Sequence, residues 1–267
     1  MKFVSKTILA CSFAAASMFT GVAAQAATFN PFTVDPTGTY ENFTADKITG
    51  NYTEIATFNP DGTFNVSLMW TAGQFVTDQG NTPINAGTTG LGVGYNIYAL
   101  YTASGMVNSS GAITTFDFTP GSGALSFVLD ANNNTKAVRP TTGAGSFALT
   151  NNSDDIVLAT GTAISGQGTL NAALPTCGTA SGLNCGSFGS TTTFVLNDAG
   201  KSFFVAPNPF YGLSFQGGLL NSFSFSGTQV INGSLDVSFR DVPEPASLGL
   251  LGLGLLGLGF VRGRKQS

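Results

Sequence analysis

Fourteen aspartates and glutamates are the main acid–base groups of this 267-residue chain, which contains no histidine. That absence removes Ser-His-Asp and Cys-His nucleophiles, histidine-ligated zinc and the usual general base near neutral pH. No Gly-x-Ser-x-Gly elbow occurs either. Carboxylate chemistry is what remains, and a glycoside hydrolase needs only two carboxyl groups at a set separation. Glu41, Glu54 and the adjacent pair Asp154-Asp155 are the candidates, although scattered acids like these ordinarily sit solvated in turns and at strand ends. The same acids leave calcium as an option: Asp35, Asp61, Asp154, Asp155 and Asp198 fall in loop-like segments, without an Asp-x-Asp-x-Asp-Gly arrangement. The expectation is therefore a non-enzyme with no required metal or cofactor. Sugars stack on flat aromatic faces flanked by hydrogen-bonding groups. Trp70, Tyr95, Tyr98 and Tyr101 are accordingly the candidates for a carbohydrate platform, with Tyr95 and Tyr101 on one strand face and Tyr98 on the other. The competing role for each is core packing.

These side chains have to be positioned by strands. Thr63-Phe64-Asn65-Val66-Ser67-Leu68-Met69-Trp70 alternates polar with apolar, as do 222–226 and 234–239. Further strands are expected over 52–58, 94–101, 112–118, 124–129, 146–150, 156–164, 191–196, 203–206 and 211–216. Between them stand Asn59-Pro60-Asp61-Gly62, Thr119-Pro120-Gly121-Ser122-Gly123 and Asn197-Asp198-Ala199-Gly200, which are turn chemistry. Asp61-Gly62 with its flanks is the best hairpin signal. Away from the termini no window sustains a capped helical stripe. The reading is all-β: an antiparallel sandwich or jelly roll in one domain spanning 27–242, with 77–90 a long loop and 170–190 a second strand-poor stretch.

Within 27–242 five cations (Lys47, Lys136, Arg139, Lys201, Arg240) face thirteen acids, a net charge near −8. Such a surface cannot neutralise a run of phosphates, so nucleic acid is excluded as a partner. A polar, weakly charged surface suits hydrogen bonding to neutral sugars. Seven Asn-x-Ser/Thr triplets, at Asn42, Asn51, Asn65, Asn108, Asn133, Asn151 and Asn232, are expected by chance in so Asn/Ser/Thr-rich a chain. Cys177 and Cys185 are the two cysteines of this region, in a turn-rich segment with no other thiol or imidazole to complete a metal site. In an oxidising compartment they are expected to form a disulfide.

Both ends direct export. Lys2 and Lys6 precede a largely apolar stretch from Ile8 to Val22, and Ala24-Gln25-Ala26 is an A-x-A cleavage site, so 1–26 reads as a signal peptide. At the other end Pro243-Glu244-Pro245 is followed by a Leu/Gly run over 248–261 and by Arg262, Arg264 and Lys265. Fourteen helical residues span about 21 Å, short of a hydrocarbon core of about 30 Å, which suits a transient inner-membrane anchor. The basic end holds the C-terminus in the cytoplasm and leaves everything upstream outside. Gly252-Leu253-Gly254-Leu255-Leu256-Gly257 matches a dinucleotide fingerprint in form only, since it lies inside this apolar run with no strand before it.

The order of these features over 243–267 resembles the PEP-CTERM sorting tail of exopolysaccharide-producing Gram-negative bacteria. That resemblance implies processing by an exosortase, a membrane enzyme, near Pro243, Glu244 and Pro245. The mature protein would then reside on the cell surface or in the extracellular matrix. The segments 27–35 (ATFNPFTVD), 45–54 (ADKITGNYTE) and 230–237 (VINGSLDV) resemble the flocculation-associated branch of those proteins. This second resemblance implies a non-enzymatic protein acting with exopolysaccharide in flocs or biofilm. A dedicated carbohydrate-binding module and a carboxylate-dependent glycoside hydrolase are the rival readings.

Overall fold

A computed structural model describes residues 29–36, 40–177, 185–220 and 225–241. The signal peptide, the sorting tail with its apolar helix and the strand expected at 222–226, save its last two residues, lie outside these residues. In chain order the elements are β1 (Phe32–Val34), β2 (Phe43–Ala45), β3 (Lys47–Phe58), β4 (Thr63–Thr77), β5 (Thr82–Pro83), α1 (Ala86–Thr89) and β6 (Asn96–Ser110). Then follow β7 (Ile113–Phe118), β8 (Ala124–Asp130), β9 (Lys136–Val138), β10 (Ala148–Thr150), β11 (Asp155–Gly161) and β12 (Ala163–Asn171). The last are β13 (Gly186–Thr192), β14 (Val195–Leu196), α2 (Asp198–Phe203), β15 (Phe204–Ala206), β16 (Gly212–Leu220) and β17 (Gly227–Arg240).

The all-β expectation holds, but the sandwich does not: eight strands close into an antiparallel barrel in the order β4-β6-β7-β12-β13-β16-β17-β3. Closure depends on β6, which pairs with β4 along one edge, Tyr98 opposite Thr71 through Met106 opposite Thr63. Its other edge pairs with β7 and, further along, with β8. β7 and β8 thus follow one another along a single edge, divided by the Thr119–Gly123 turn. β11 pairs with β8 and β12 with β7, so they divide a second stave in the same way. Alternation of period two serves a sandwich and a barrel equally. Only the long-range β4–β6 pairing distinguishes them.

Inside the barrel most inward residues are apolar, and aromatic rings fill much of the space. Trp70 is fully buried, its indole N–H donating to the Leu235 carbonyl at 2.8 Å and its ring stacked on Phe127. On β3, diagonal to Trp70, position 50 must be glycine, because a Cβ there would lie 2.4 Å from the indole nitrogen. At one end the small sheet β15-β1-β2 plugs the barrel, with Phe32 packed edge-on against Phe239 at 4.8 Å between ring centres. The other end carries the β3–β4 hairpin, where Asn59 and Thr63 close the turn and Asp61 accepts from the backbone N–H and hydroxyl of Thr63. Those bonds hold the Asp61 carboxyl below its ordinary range. The Cys177–Cys185 disulfide is formed at this same end, between β12 and β13.

The segment taken as a long loop, 77–90, contains β5 and the single helical turn α1, capped by Asn85 and by Gly90. The Asn197 turn likewise opens a short helix, α2, where Asn197 accepts from Gly200 N–H at 2.8 Å.

Candidate functional site

The four aromatics expected to offer a carbohydrate platform do not form one. Trp70, Tyr95 and Tyr101 point into the barrel, and all four, Tyr98 included, are at most 4 % exposed. Their hydroxyls are engaged inside the fold: Tyr95 donates to the Thr89 carbonyl at 2.9 Å, and Tyr101 lies 3.0 Å from the Ser190 hydroxyl. Burial pushes the Tyr101 phenol up to about 12, with the Ser190 bond opposing the shift. Tyr98 faces outward, as parity requires, but is covered and donates to Asp155 at 2.5 Å. The physical reason is size: a closed barrel needs bulky interior side chains, which Trp70 on β4 and Tyr101 on β6 supply, while Tyr95, just before β6, packs edge-on against Phe203.

Among the described residues, carboxylates group in one place. Asp130, Asp154 and Asp155 bring oxygens within 4.8 Å of one another. Every one of the three already accepts protein hydrogen bonds. Asp130 takes the N–H groups of Asn134 and Thr135, Asp154 that of Asn132, and Asp155 the hydroxyls of Thr135 and Tyr98. The cluster closes the base of the excursion 131–154, which carries the β9–β10 hairpin. Glu41 is exposed, while Glu54 lies inside the barrel, so these two do not face each other across a cleft.

Glu54 is the unexpected interior group. It is 7 % exposed, and its carboxyl makes no hydrogen bond or ion pair with the described residues. Phe58, Phe64, Phe116, Phe118 and Phe188 surround the space before it. Desolvation there raises its carboxyl to about 7. The space amounts to about 30 Å³, room for about two water molecules, and so too small for an organic ligand.

A much roomier cavity lies on the outside. The excursion 131–154 lies across the barrel wall and is seated there by Gly143, whose N–H donates to the Thr57 hydroxyl at 2.8 Å. A Cβ on Gly143 would lie 2.0 Å from the Asn65 carbonyl oxygen, so only glycine allows this approach. Between the excursion and the outer faces of β17, β3 and β4 runs an open groove of about 770 Å³. Its floor is Asn51, Thr53, Met69, Thr71, Asn232 and Ser234, and its rim is Ala137, Arg139 and Phe147. Register explains the floor: antiparallel pairing sets Asn51 opposite Ser234 and Thr53 opposite Asn232. The Thr53 hydroxyl donates to the Asn232 side-chain carbonyl at 2.7 Å. Two of the Asn-x-Ser/Thr triplets therefore lie side by side, their side chains outward. Alternation puts Asn51 with Thr53, and Asn232 with Ser234, on one strand face, but gives no sign of which way that face turns. Arg139 and Phe147 had no local signal, because both reach the groove from a segment that pairs only with itself.

The arrangement offers amide and hydroxyl hydrogen-bonding groups on a rigid sheet, one aromatic face and one guanidinium. Its volume is within the usual range for ligand sites, and none of its lining residues is an acid.

Against known proteins, the family model described as the PEP-CTERM protein-sorting motif matches residues 241–265. No curated protein and no solved structure matches the chain. The motif implies exosortase processing, export and cell-surface sorting in Gram-negative bacteria.

Proposed function

We propose that this chain is a matrix or surface protein that holds cells together in flocs or biofilm by binding exopolysaccharide, without turning it over. The observation that carries the reading is the outer groove: hydrogen-bonding side chains fixed on a barrel wall, beside an aromatic rim, on a protein addressed to the cell exterior. The groove lacks the two facing carboxylates a glycosidase requires. The acids that do cluster, Asp130, Asp154 and Asp155, are occupied in fastening the excursion. Affinity per site is expected to be weak, with adhesion arising from many copies acting together.

Deleting the gene in its host, with polysaccharide quantified separately, should reduce flocculation or biofilm while polysaccharide output persists. The mature protein should cosediment with the host's exopolysaccharide and release no reducing sugar. Unchanged aggregation in the deletion strain would reject the adhesive role, and liberated reducing sugar would reject the non-enzymatic one.

A further inference from the structure

The charge of the groove differs from that of the protein around it. Thirteen acids against five cations make the secreted region strongly negative, yet the groove's single formal charge is the positive Arg139. Lys47 is paired with Asp236 at 3.1 Å and Lys201 with Asp198 at 3.4 Å. Arg139, exposed on the rim, has no ion pair or hydrogen bond with the described residues. Its guanidinium is thus a five-donor fork with its bonding capacity open. Phe147 stands on the same rim, and the floor opposite is made of amides and hydroxyls.

Resting on the exopolysaccharide reading above, we propose that the groove selects a glycan segment bearing a sugar carboxylate, a uronic acid or its equivalent. The carboxylate pairs with Arg139, a sugar face lies on Phe147, and ring hydroxyls bond to Asn51, Thr53, Asn232 and Ser234. A planar guanidinium matches a carboxylate in two parallel N–H···O bonds, which a neutral hydroxyl cannot reproduce. The acids elsewhere on the protein oppose such a ligand only over a range that salt screens to about 8–10 Å, whereas the Arg139 contact is direct. Composition alone points to neutral sugars because it averages charge over the whole surface. The fold places one cation in a groove whose lining contains no acid.

The test uses the processed protein recovered from its host, with calorimetry against two matched probes: a hexameric oligouronate, and the same oligomer with its carboxyl groups reduced to hydroxymethyl. The wild-type protein should bind the oligouronate at least tenfold more tightly than the reduced form, and about 0.5 M salt should narrow that gap. Arg139→Gln should abolish the preference, bringing oligouronate affinity down to that of the reduced probe. Arg139→Lys should restore only part of it. Phe147→Ala should weaken both probes alike. Thermal melting of each variant at the wild-type temperature would establish that the barrel is intact. A wild-type protein indifferent to the carboxylates, or an Arg139→Gln variant that keeps the preference, overturns the inference. Binding of the host's exopolysaccharide, measured in parallel, separates the two claims. If it persists while the preference is absent, the groove's selectivity is refuted and the adhesive reading stands; if it is absent altogether, the adhesive reading itself fails.

Discussion

The two faces of β3 carry opposite chemistry within four residues, Asn51 to Glu54. Inward, Tyr52 and Glu54 are enclosed with Trp70 and the phenylalanines of the barrel. Outward, Asn51 and Thr53 form the floor of an open groove with Asn232 and Ser234. The aromatics that could have bound sugar are consumed by the interior. Under the proposed function, recognition falls instead to small polar side chains on the outer wall. Closing the barrel divides the residues into a packed interior, where substitutions are expected to change stability, and an outer wall, where they are expected to change binding.

Trp70→Ala should break this division most severely. It removes a fully buried ring and its bond to the Leu235 carbonyl, a loss of about 3–5 kcal/mol. Chemical denaturation should show it, and a variant as stable as wild type would mean the interior is not the packed solid described.

Glu54→Gln sharpens the same comparison through pH. The carboxyl is raised to about 7 in the folded chain from an ordinary 4.5, so the folded state holds the proton more tightly than the unfolded one. Its contribution to stability is full below about pH 4.5 and is lost progressively as pH rises to about 7. At 1.36 kcal/mol per pH unit that amounts to about 3 kcal/mol. Tyr52 and Tyr101 also face this carboxylate electrostatically, and their phenols are raised above the window. The Gln variant should flatten the decline between pH 4.5 and 7. An unchanged slope would place its origin elsewhere.

Replacing Cys177 and Cys185 by alanine should cost about 2.5 kcal/mol, the loop-closure value for a short ring, with the barrel still folded. A thiol assay on unreduced mature protein should detect no free cysteine. Smallest in stability but decisive for the wall is Gly143→Ala. The added methyl would meet the Asn65 carbonyl, lift the excursion and widen the groove. Glycan binding should fall while the melting temperature moves by a few degrees at most. Equal losses of both would join the excursion to the core.

Local residue order alone carried much of the strand content, though not β1, β2, β9 or most of β12 and β13. Thr63 to Trp70, the Asp61-Gly62 turn and the alternation at 234–239 all appear as β4, its hairpin and β17, because a half-buried strand writes its period directly into the chain. The cysteine pair and the sorting tail were legible for similar reasons: each rests on residue types and short spacings, and the family match at 241–265 agrees with the latter. Which edge β6 would join had no local sign. Its pairing with β4 on one side and β7 and β8 on the other turned a presumed sandwich into a barrel. That closure sent Trp70, Tyr95 and Tyr101 inward and left Glu54 among phenylalanines. It also set Asn51 and Thr53 beside Ser234 and Asn232, about 180 residues away in sequence. Alternation determines which residues share a face. Whether that face turns toward the core or the solvent, and what lies across from it, depends on contacts between distant strands, and these the tertiary structure alone decided.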